Sequence, residues 1–355
     1  MRVLIIADDL TGALDSAVAL TGAAQRCVVA RRPGDVSAAL AERPDVLSVS
    51  TASREGSVAA ARAAVVAALD AVGVLPEIVF KKVDSRLKGH VASEVAVLGA
   101  RARRAHALVA PAIPAQGRRV VDGQLSGAGI ATPIDVAAVL AASGLTLEIP
   151  DAASETDFDA ALGHALDGPP VLLVGAAGLA AAVARRLAAG AWAIPVPPLG
   201  PPVLLAIGSH DPITITQVER LTAAGIVTVT AAPDGVCGPM AKGRAQLVRL
   251  VPVEGKPFEP LAAGARFADG IAQLVNVGGV RTLLGCGGET ADAILGSLGQ
   301  GVLTIEGEIL PGVPVSMMRL GERRVQLVTK SGGFGSENAL VSVVEAATGT
   351  LEGAR

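Results

Sequence analysis

Two stretches of the chain concentrate side chains able to do chemistry on a small polar molecule. In Leu4-Ile5-Ile6-Ala7-Asp8-Asp9-Leu10-Thr11-Gly12 an apolar run ends in two adjacent carboxylates. A helix cap needs a single acid and neighbouring carboxylates repel, so the pair is read as gripping or activating a hydroxyl, with a plain cap as the alternative. In Phe80-Lys81-Lys82-Val83-Asp84-Ser85-Arg86-Leu87-Lys88-Gly89, one carboxylate stands among four cations. Lysine and arginine there can hold an anionic substrate while Asp84 stays ionised; a solvated charged loop is the plainer reading. Ser50-Thr51-Ala52-Ser53-Arg54-Glu55 offers Arg54 as a fork for a carboxylate, and the proline-rich run from Pro111 to Arg119 suits a pocket wall.

The second half carries a different chemistry. Thr282-Leu283-Leu284-Gly285-Cys286-Gly287-Gly288-Glu289-Thr290 reads as strand, glycine turn and helix start, so main-chain amides and the helix dipole converge where a phosphate fits. Gly285, Gly287 and Gly288 permit close approach, and Glu289 or Thr290 can add a contact or orient a magnesium ion. Thr329-Lys330-Ser331-Gly332-Gly333-Phe334-Gly335 is a second such loop, with Lys330, Gly332 and Gly333 as candidates. Two phosphate loops suggest a polyphosphate. Ser209, in Ile207-Gly208-Ser209-His210-Asp211-Pro212, is placed to face the same phosphates, with Asp211 as cap and Pro212 opening a helix.

Several classes are disfavoured. The pattern G-x-x-x-x-G-K-[ST] is absent, and no G-x-G-x-x-G follows the first strand, which argues against Walker-type and standard dinucleotide enzymes. Cys27, Cys237 and Cys286 form neither a disulfide framework nor a zinc spacing, and the histidines lack helical ligand spacing. A net charge of −3, aromatic content of 2% and no Tyr leave little to bind nucleic acid. Although 51% of residues are hydrophobic, no run approaches a membrane span and no signal peptide is read, so a soluble cytoplasmic protein is expected. Self-association into a homo-oligomer is left open.

These loops need elements to position them. Short β-branched runs alternate with alanine-rich helical stretches: Val3 to Ile6, Val46 to Ser50 and a helix through Ala59 to Leu69, then runs starting at Ile78, Ala107, Val171, Val203, Ile226, Thr282 and Val325. That is an α/β pattern, and in open parallel sheets ligands gather beyond the carboxyl ends of the strands. At 355 residues two domains are expected, and the prolines of Ile194-Pro195-Val196-Pro197-Pro198-Leu199-Gly200-Pro201-Pro202 mark the boundary. The expected layout is an N-terminal domain over 1–194, a linker over 195–202 and a C-terminal domain over 203–355. Both have mainly parallel sheets, with a cleft between them. No internal repeat is found.

Together the segments resemble the four-carbon acid sugar kinase family, through I-A-D-D-x-T-G at Ile6, F-K-K-x-D-S at Phe80, P-A-x-P-A-Q-G-R at Pro111, G-G-E-T at Gly287 and K-S-G-x-F-G at Lys330. The resemblance implies an N-terminal domain that binds the sugar acid through Asp9, Arg54, Lys82, Asp84 and Ser85. It implies a C-terminal domain that binds ATP through Ser209, Gly287, Gly288, Glu289, Thr290 and a glycine near Gly332. A product phosphorylated on the terminal hydroxyl would follow, with the K-K-V-D-S form nearer to threonate or erythronate kinases than to the 3-oxo-tetronate branch. Arg86 and Lys88 stand where the family reads D-S-T-L-R-G-N, and Gly333 where Asn is usual. On this reading ATP and Mg²⁺ occupy the second domain, the acid's carboxylate meets Arg54, Lys82 and Arg86, and Asp9 or Asp84 is the base. A non-catalytic sensor of sugar acid or nucleotide and a dinucleotide-dependent oxidoreductase are the alternatives.

Overall fold

Runs of leucine, isoleucine and valine buried on both faces build the strands: every residue of β1 (Val3–Ala7) is buried, as is every residue of β3 (Val46–Ser50) and β11 (Val203–Ile207). Such near-continuous apolar strands belong to parallel sheets covered by helices on both sides. The computed structural model describes residues 1–188 and 190–349. The chain divides into two compact units, Met1–Ile194 and Pro195–Arg355. Residues 350–355, the end of the expected C-terminal domain, lie outside the described residues.

In the first unit the order of elements is β1, α1 (Leu10–Ala19), β2 (Cys27–Ala30), α2 (Val36–Ala41), β3, α3 (Val58–Val72), β4 (Ile78–Lys82), α4 (Val91–Ala102) and β5 (His106–Ala110). Then follow β6 (Arg118–Val121), β7 (Gln124–Gly127), β8 (Ile130–Asp135), α5 (Val136–Leu140), β9 (Thr146–Glu148), α6 (Glu155–Leu166), β10 (Val171–Gly175) and α7 (Ala177–Leu187). The main sheet is parallel throughout, ordered β2-β3-β1-β4-β10-β5-β9. After β3 the chain crosses to the other side of β1 and forms β4, so the switch point lies between β1 and β4. Their ends are flush: Ala7 pairs with Ser50 on one side and Lys82 on the other. A separate antiparallel sheet, β6-β7-β8, grows from the proline-rich segment that sequence reading took for a wall.

The second unit contains β11, α8 (Pro212–Ala224), β12 (Thr228–Pro233), β13 (Ala245–Val251), α9 (Pro260–Val277), β14 (Thr282–Cys286) and α10 (Gly288–Ser297). It ends with β15 (Val302–Leu310), β16 (Val313–Leu320), β17 (Arg323–Lys330) and α11 (Ala339–Thr348). Strands β12-β13-β11-β14-β17 are parallel, and the switch point falls between β11 and β14. The sheet is mainly parallel, as expected, and beyond β17 it turns antiparallel through β16 to β15. The strand expected from Ile226 begins at Thr228 and runs to Pro233.

The segment 195–202, expected as a linker, is fastened to the second unit. The Glu308 amide donates to the Pro195 carbonyl at 3.0 Å, Gln326 Nε2 to the Pro198 carbonyl at 2.9 Å, and Thr282 Oγ1 to the Gly200 carbonyl at 2.8 Å. Proline carbonyls still accept, so a segment unable to join a ladder is held by the carbonyls it keeps.

Candidate functional site

Beyond the switch point of the first unit, three carboxylates meet one guanidinium. Arg54 follows β3; its Nε and Nη2 donate to Asp8 Oδ2 and Oδ1, both at 2.8 Å, and its Nη1 donates to Asp9 Oδ2 at 2.7 Å. Asp84 Oδ2 lies 3.9 Å from the same Nη1. Asp9 is also the cap of α1, its Oδ1 accepting from the Gly12 amide at 2.8 Å. The cap reading and the site reading therefore both hold for this residue, one oxygen each. Asp84 Oδ1 accepts from the Arg86 amide at 2.9 Å.

Burial works against charge on Asp8, yet the Arg54 hydrogen bonds, with the charges of Lys81, Arg54 and Lys82, hold its carboxyl below the usual carboxylate range. Burial also opposes the Arg54 charge, but the hydrogen bond to Asp8 with the fields of Asp9, Asp8 and Asp84 outweighs it and raises the pKa. Arg54 is therefore a fork, as its type suggested, but one already closed on the protein's own acids.

Lys82 is 5% exposed and donates from Nζ to the Val83 carbonyl at 2.9 Å. Behind it, the fully buried Lys81 Nζ pairs with Glu94 Oε2 at 2.9 Å, and Glu94 Oε1 accepts from Ser53 Oγ. The Ser53 amide donates to the Asp8 carbonyl at 2.9 Å, so this chain of contacts ties α4 to the residue beside Arg54 and to the acids after β1. Sequence reading missed Glu94, although Val91, Glu94, Val95 and Leu98 share the buried stripe of α4 and an acid there demands a partner. It also passed over Asp15, whose carboxyl is pushed up by burial against the pull of Lys82.

Ser85 accepts at Oγ from Arg118 Nη1, 3.0 Å away. Arg86 is exposed and stands on the other side of Asp84 from the Arg54 cluster in sequence. Thus Asp9, Arg54, Asp84, Ser85 and Arg86 lie in the loops after β1, β3 and β4, and Lys82 is the last residue of β4.

In the second unit the turns after β11, β14 and β17, neighbouring strands, come together. Gly287 caps α10 with φ 104°, a conformation that favours glycine, and its amide donates to the Lys330 carbonyl at 2.8 Å. The amides of Gly288, Glu289 and Thr290 are those of the first helical turn, which have no acceptor within the helix. A Cβ on Gly208 would overlap Thr290 Oγ1, one on Gly332 would overlap Ser209 Oγ, and one on Gly333 would come 2.9 Å from Asp211 Oδ2. Ser209, Gly287, Thr290, Gly332 and Gly333 are therefore brought together.

Two candidates are placed otherwise. Gly285 lies inside β14, where a Cβ would press Ala291 of α10 at 3.0 Å, so it is a packing glycine. Lys330 is 1% exposed and donates from Nζ to the carbonyls of Ser331 at 2.8 Å and Gly332 at 3.1 Å, beneath the loop. Burial lowers its pKa, offset in part by Cys286 and Asp211. The loop is pinned from α8 as well: Thr214 Oγ1 donates to the Gly332 carbonyl at 2.7 Å, and Gln217 Nε2 to those of Phe334 at 3.0 Å and Ser336 at 2.8 Å. Among the described residues no group of three or more His, Cys, Asp or Glu is arranged to hold a metal, and no helix is long and apolar enough to cross a membrane.

Fold and site together place the chain in the class of α/β proteins built of two units, each with a polar site at its sheet's switch point. Two family models match, a sugar-binding N-terminal domain over residues 3–134 and a nucleotide-binding C-terminal domain over residues 253–340. The D-threonate kinase of Cupriavidus necator is 32% identical over 98% of both chains, and that of Bordetella bronchiseptica 29% identical over 96% of both. The 3-oxo-tetronate kinase of Methylobacterium radiotolerans is 31% identical over 62% of this chain and 47% of its own. A solved Salmonella typhimurium LT2 protein superposes with a TM-score of 0.75 at 20% identity, covering 96% of this chain and 98% of its own. Haemophilus influenzae protein HI1011, of the DUF1537 family, gives a TM-score of 0.70 at 21% identity over the same shares. The chain belongs to the four-carbon acid sugar kinase family.

Proposed function

We propose that the protein transfers the terminal phosphoryl group of ATP to a hydroxyl of a four-carbon sugar acid, with threonate the first choice and the terminal hydroxyl the acceptor. The observation that carries the reading is the meeting of Ser209, the Gly287 turn and Gly332 beyond β11, β14 and β17. First-turn amides with glycine on three sides suit the oxygens of a polyphosphate. The D-threonate kinases that match over nearly the whole chain support the acceptor class.

In the first unit Asp84 is the preferred base. One of its oxygens is held by the Arg86 amide and the other is 3.9 Å from Arg54, whereas both oxygens of Asp9 carry hydrogen bonds. Asp8 and Asp9, fixed by Arg54, would orient the hydroxyls. Phosphoryl transfer rests on positioning and charge neutralisation, so the reaction requires the nucleotide's last phosphate to reach the hydroxyl beside Asp84. Magnesium ordinarily keeps several waters and takes one or two carboxylates with phosphate oxygens. Glu289, exposed in the first turn of α10, would supply a carboxylate, and the ion would neutralise phosphate charge.

The test is an ADP-release assay over both threonate and both erythronate stereoisomers and 3-oxo-tetronate, with the phosphorylated carbon located by NMR. ADP formed with one of these acids supports the reading. Binding of ATP and an acid by calorimetry without turnover would make the protein a sensor instead.

A further inference from the structure

The sugar-acid reading leaves the acid's own charge without an obvious partner. Arg54, the fork expected to receive it, donates to Asp8 and Asp9 and has Asp84 3.9 Å away. A fourth carboxylate there would meet three others, and like charges at short range oppose one another.

Around Arg118 and Arg86, which come from β6 and the loop after β4, the balance reverses. Arg118, the first residue of β6, donates from Nε to the Ala128 carbonyl at 2.8 Å and from Nη1 to Gln116 Oε1 at 2.8 Å and Ser85 Oγ at 3.0 Å. All three acceptors are neutral, so the guanidinium is oriented without being neutralised. Arg86 comes from the β4 loop, and its guanidinium and that of Arg118 both lie beside Gly129. A point one Cβ above Gly129 is 3.8 Å from Arg118 Nη2 and 3.8 Å from Arg86 Nη1. Burial and the nearby Arg86 charge both disfavour the charged form of Arg118, and Asp84 offsets them only in part. Two guanidiniums from different elements, converging with no carboxylate bonded to Arg118 among the described residues, are relieved by an anion between them. Arginine forks match a carboxylate.

We propose that Arg118, together with Arg86, clamps the carboxylate of the sugar acid and makes the enzyme select an acid over its neutral counterpart. The inference rests on the sugar-acid reading above. It reverses the expected role of Arg54, which becomes the holder of the hydroxyl-facing acids. Ser85, hydrogen-bonded to Arg118 and next to Asp84, would set the spacing between the clamped end and the reacting end.

The experiment compares steady-state kinetics on the accepted acid and on its amide for the full-length wild type, Arg118→Gln, Arg118→Lys and Arg86→Gln, with calorimetric binding of the acid alone and of ATP alone. Loss of the charged contact should raise the acid's KM about 30-fold in Arg118→Gln while kcat stays within about threefold. The preference for acid over amide should collapse, Arg118→Lys should recover part of it, and ATP affinity should not move. An unchanged acid-to-amide preference in Arg118→Gln overturns the proposal. Should Arg118→Gln fail to fold, Arg86→Gln at an exposed position decides: undiminished preference overturns the clamp, and a fall of about threefold or more supports it. If the wild type turns over no acid yet binds one with Arg118-dependent affinity, the clamp stands and the kinase reading fails. If it binds none, both fail.

Discussion

Asp84 and Asp9 differ in what their oxygens already hold, and that difference ranks them. Asp84→Asn removes the proposed base while keeping the hydrogen bond from the Arg86 amide, so kcat should fall by about 10²- to 10⁴-fold with a small change in KM. Asp9→Asn should cost less turnover and should lower stability by up to about 1 kcal/mol through the lost charge beside Arg54, since Asn caps α1 as well as Asp does. Denaturant unfolding alongside the kinetics separates the two effects; equal losses of kcat would remove the ranking. Asp8 carries a pH signature. Its folded pKa lies below the unfolded value of about 3.9, so its contribution to stability is complete above that value and is lost as pH falls through the lower, folded one. The stability gap between wild type and Asp8→Asn should therefore be steady from about pH 5 to 8 and shrink below about pH 4 in urea unfolding.

At the scale of elements, the site is braced from behind by α4 and α8. Glu94→Gln leaves the buried Lys81 ammonium without its ion partner, and breaking such a pair costs about 3–5 kcal/mol. Replacing both, as Lys81→Met with Glu94→Leu, should recover most of that loss, and a double variant no more stable than Glu94→Gln would contradict the account. The loops of the candidate sites were legible because each follows an apolar run buried in its sheet, as at β1, β4 and β14. The braces were not, since they join residues far apart in the chain: Gln217 reaches Phe334, and Arg118 reaches Ser85. Strand β15 escaped for another reason. Val302 to Glu308 alternates between buried and half-buried residues, a period-two signal of a half-covered antiparallel strand that a search for continuous apolar runs overlooks.

Over the whole molecule, the two units repeat one plan. Strands β2-β3-β1-β4 and β12-β13-β11-β14 follow the same order, although no repeat is visible in the sequence. Burial asks only for apolar residues in the strands, so the shared topology leaves little trace in letters. Proposed as separate domains, the units should respond separately to ligand. In scanning calorimetry a nucleotide analogue at 100 times its Kd should stabilise the second unit by about 2.7 kcal/mol, and the sugar acid should shift only the transition of the first. A single transition moved equally by either ligand would mean that the two unfold as one. The burial of Lys81, Lys82 and Lys330 has a practical corollary. Amine-directed acylating reagents reach Lys88, Lys242 and Lys256, which are exposed, and leave the interior lysines unlabelled. Mass-spectrometric footprinting of the folded chain should thus show these three interior ammonium groups protected even without substrate, and immobilisation through surface amines should spare the floor beneath both proposed sites.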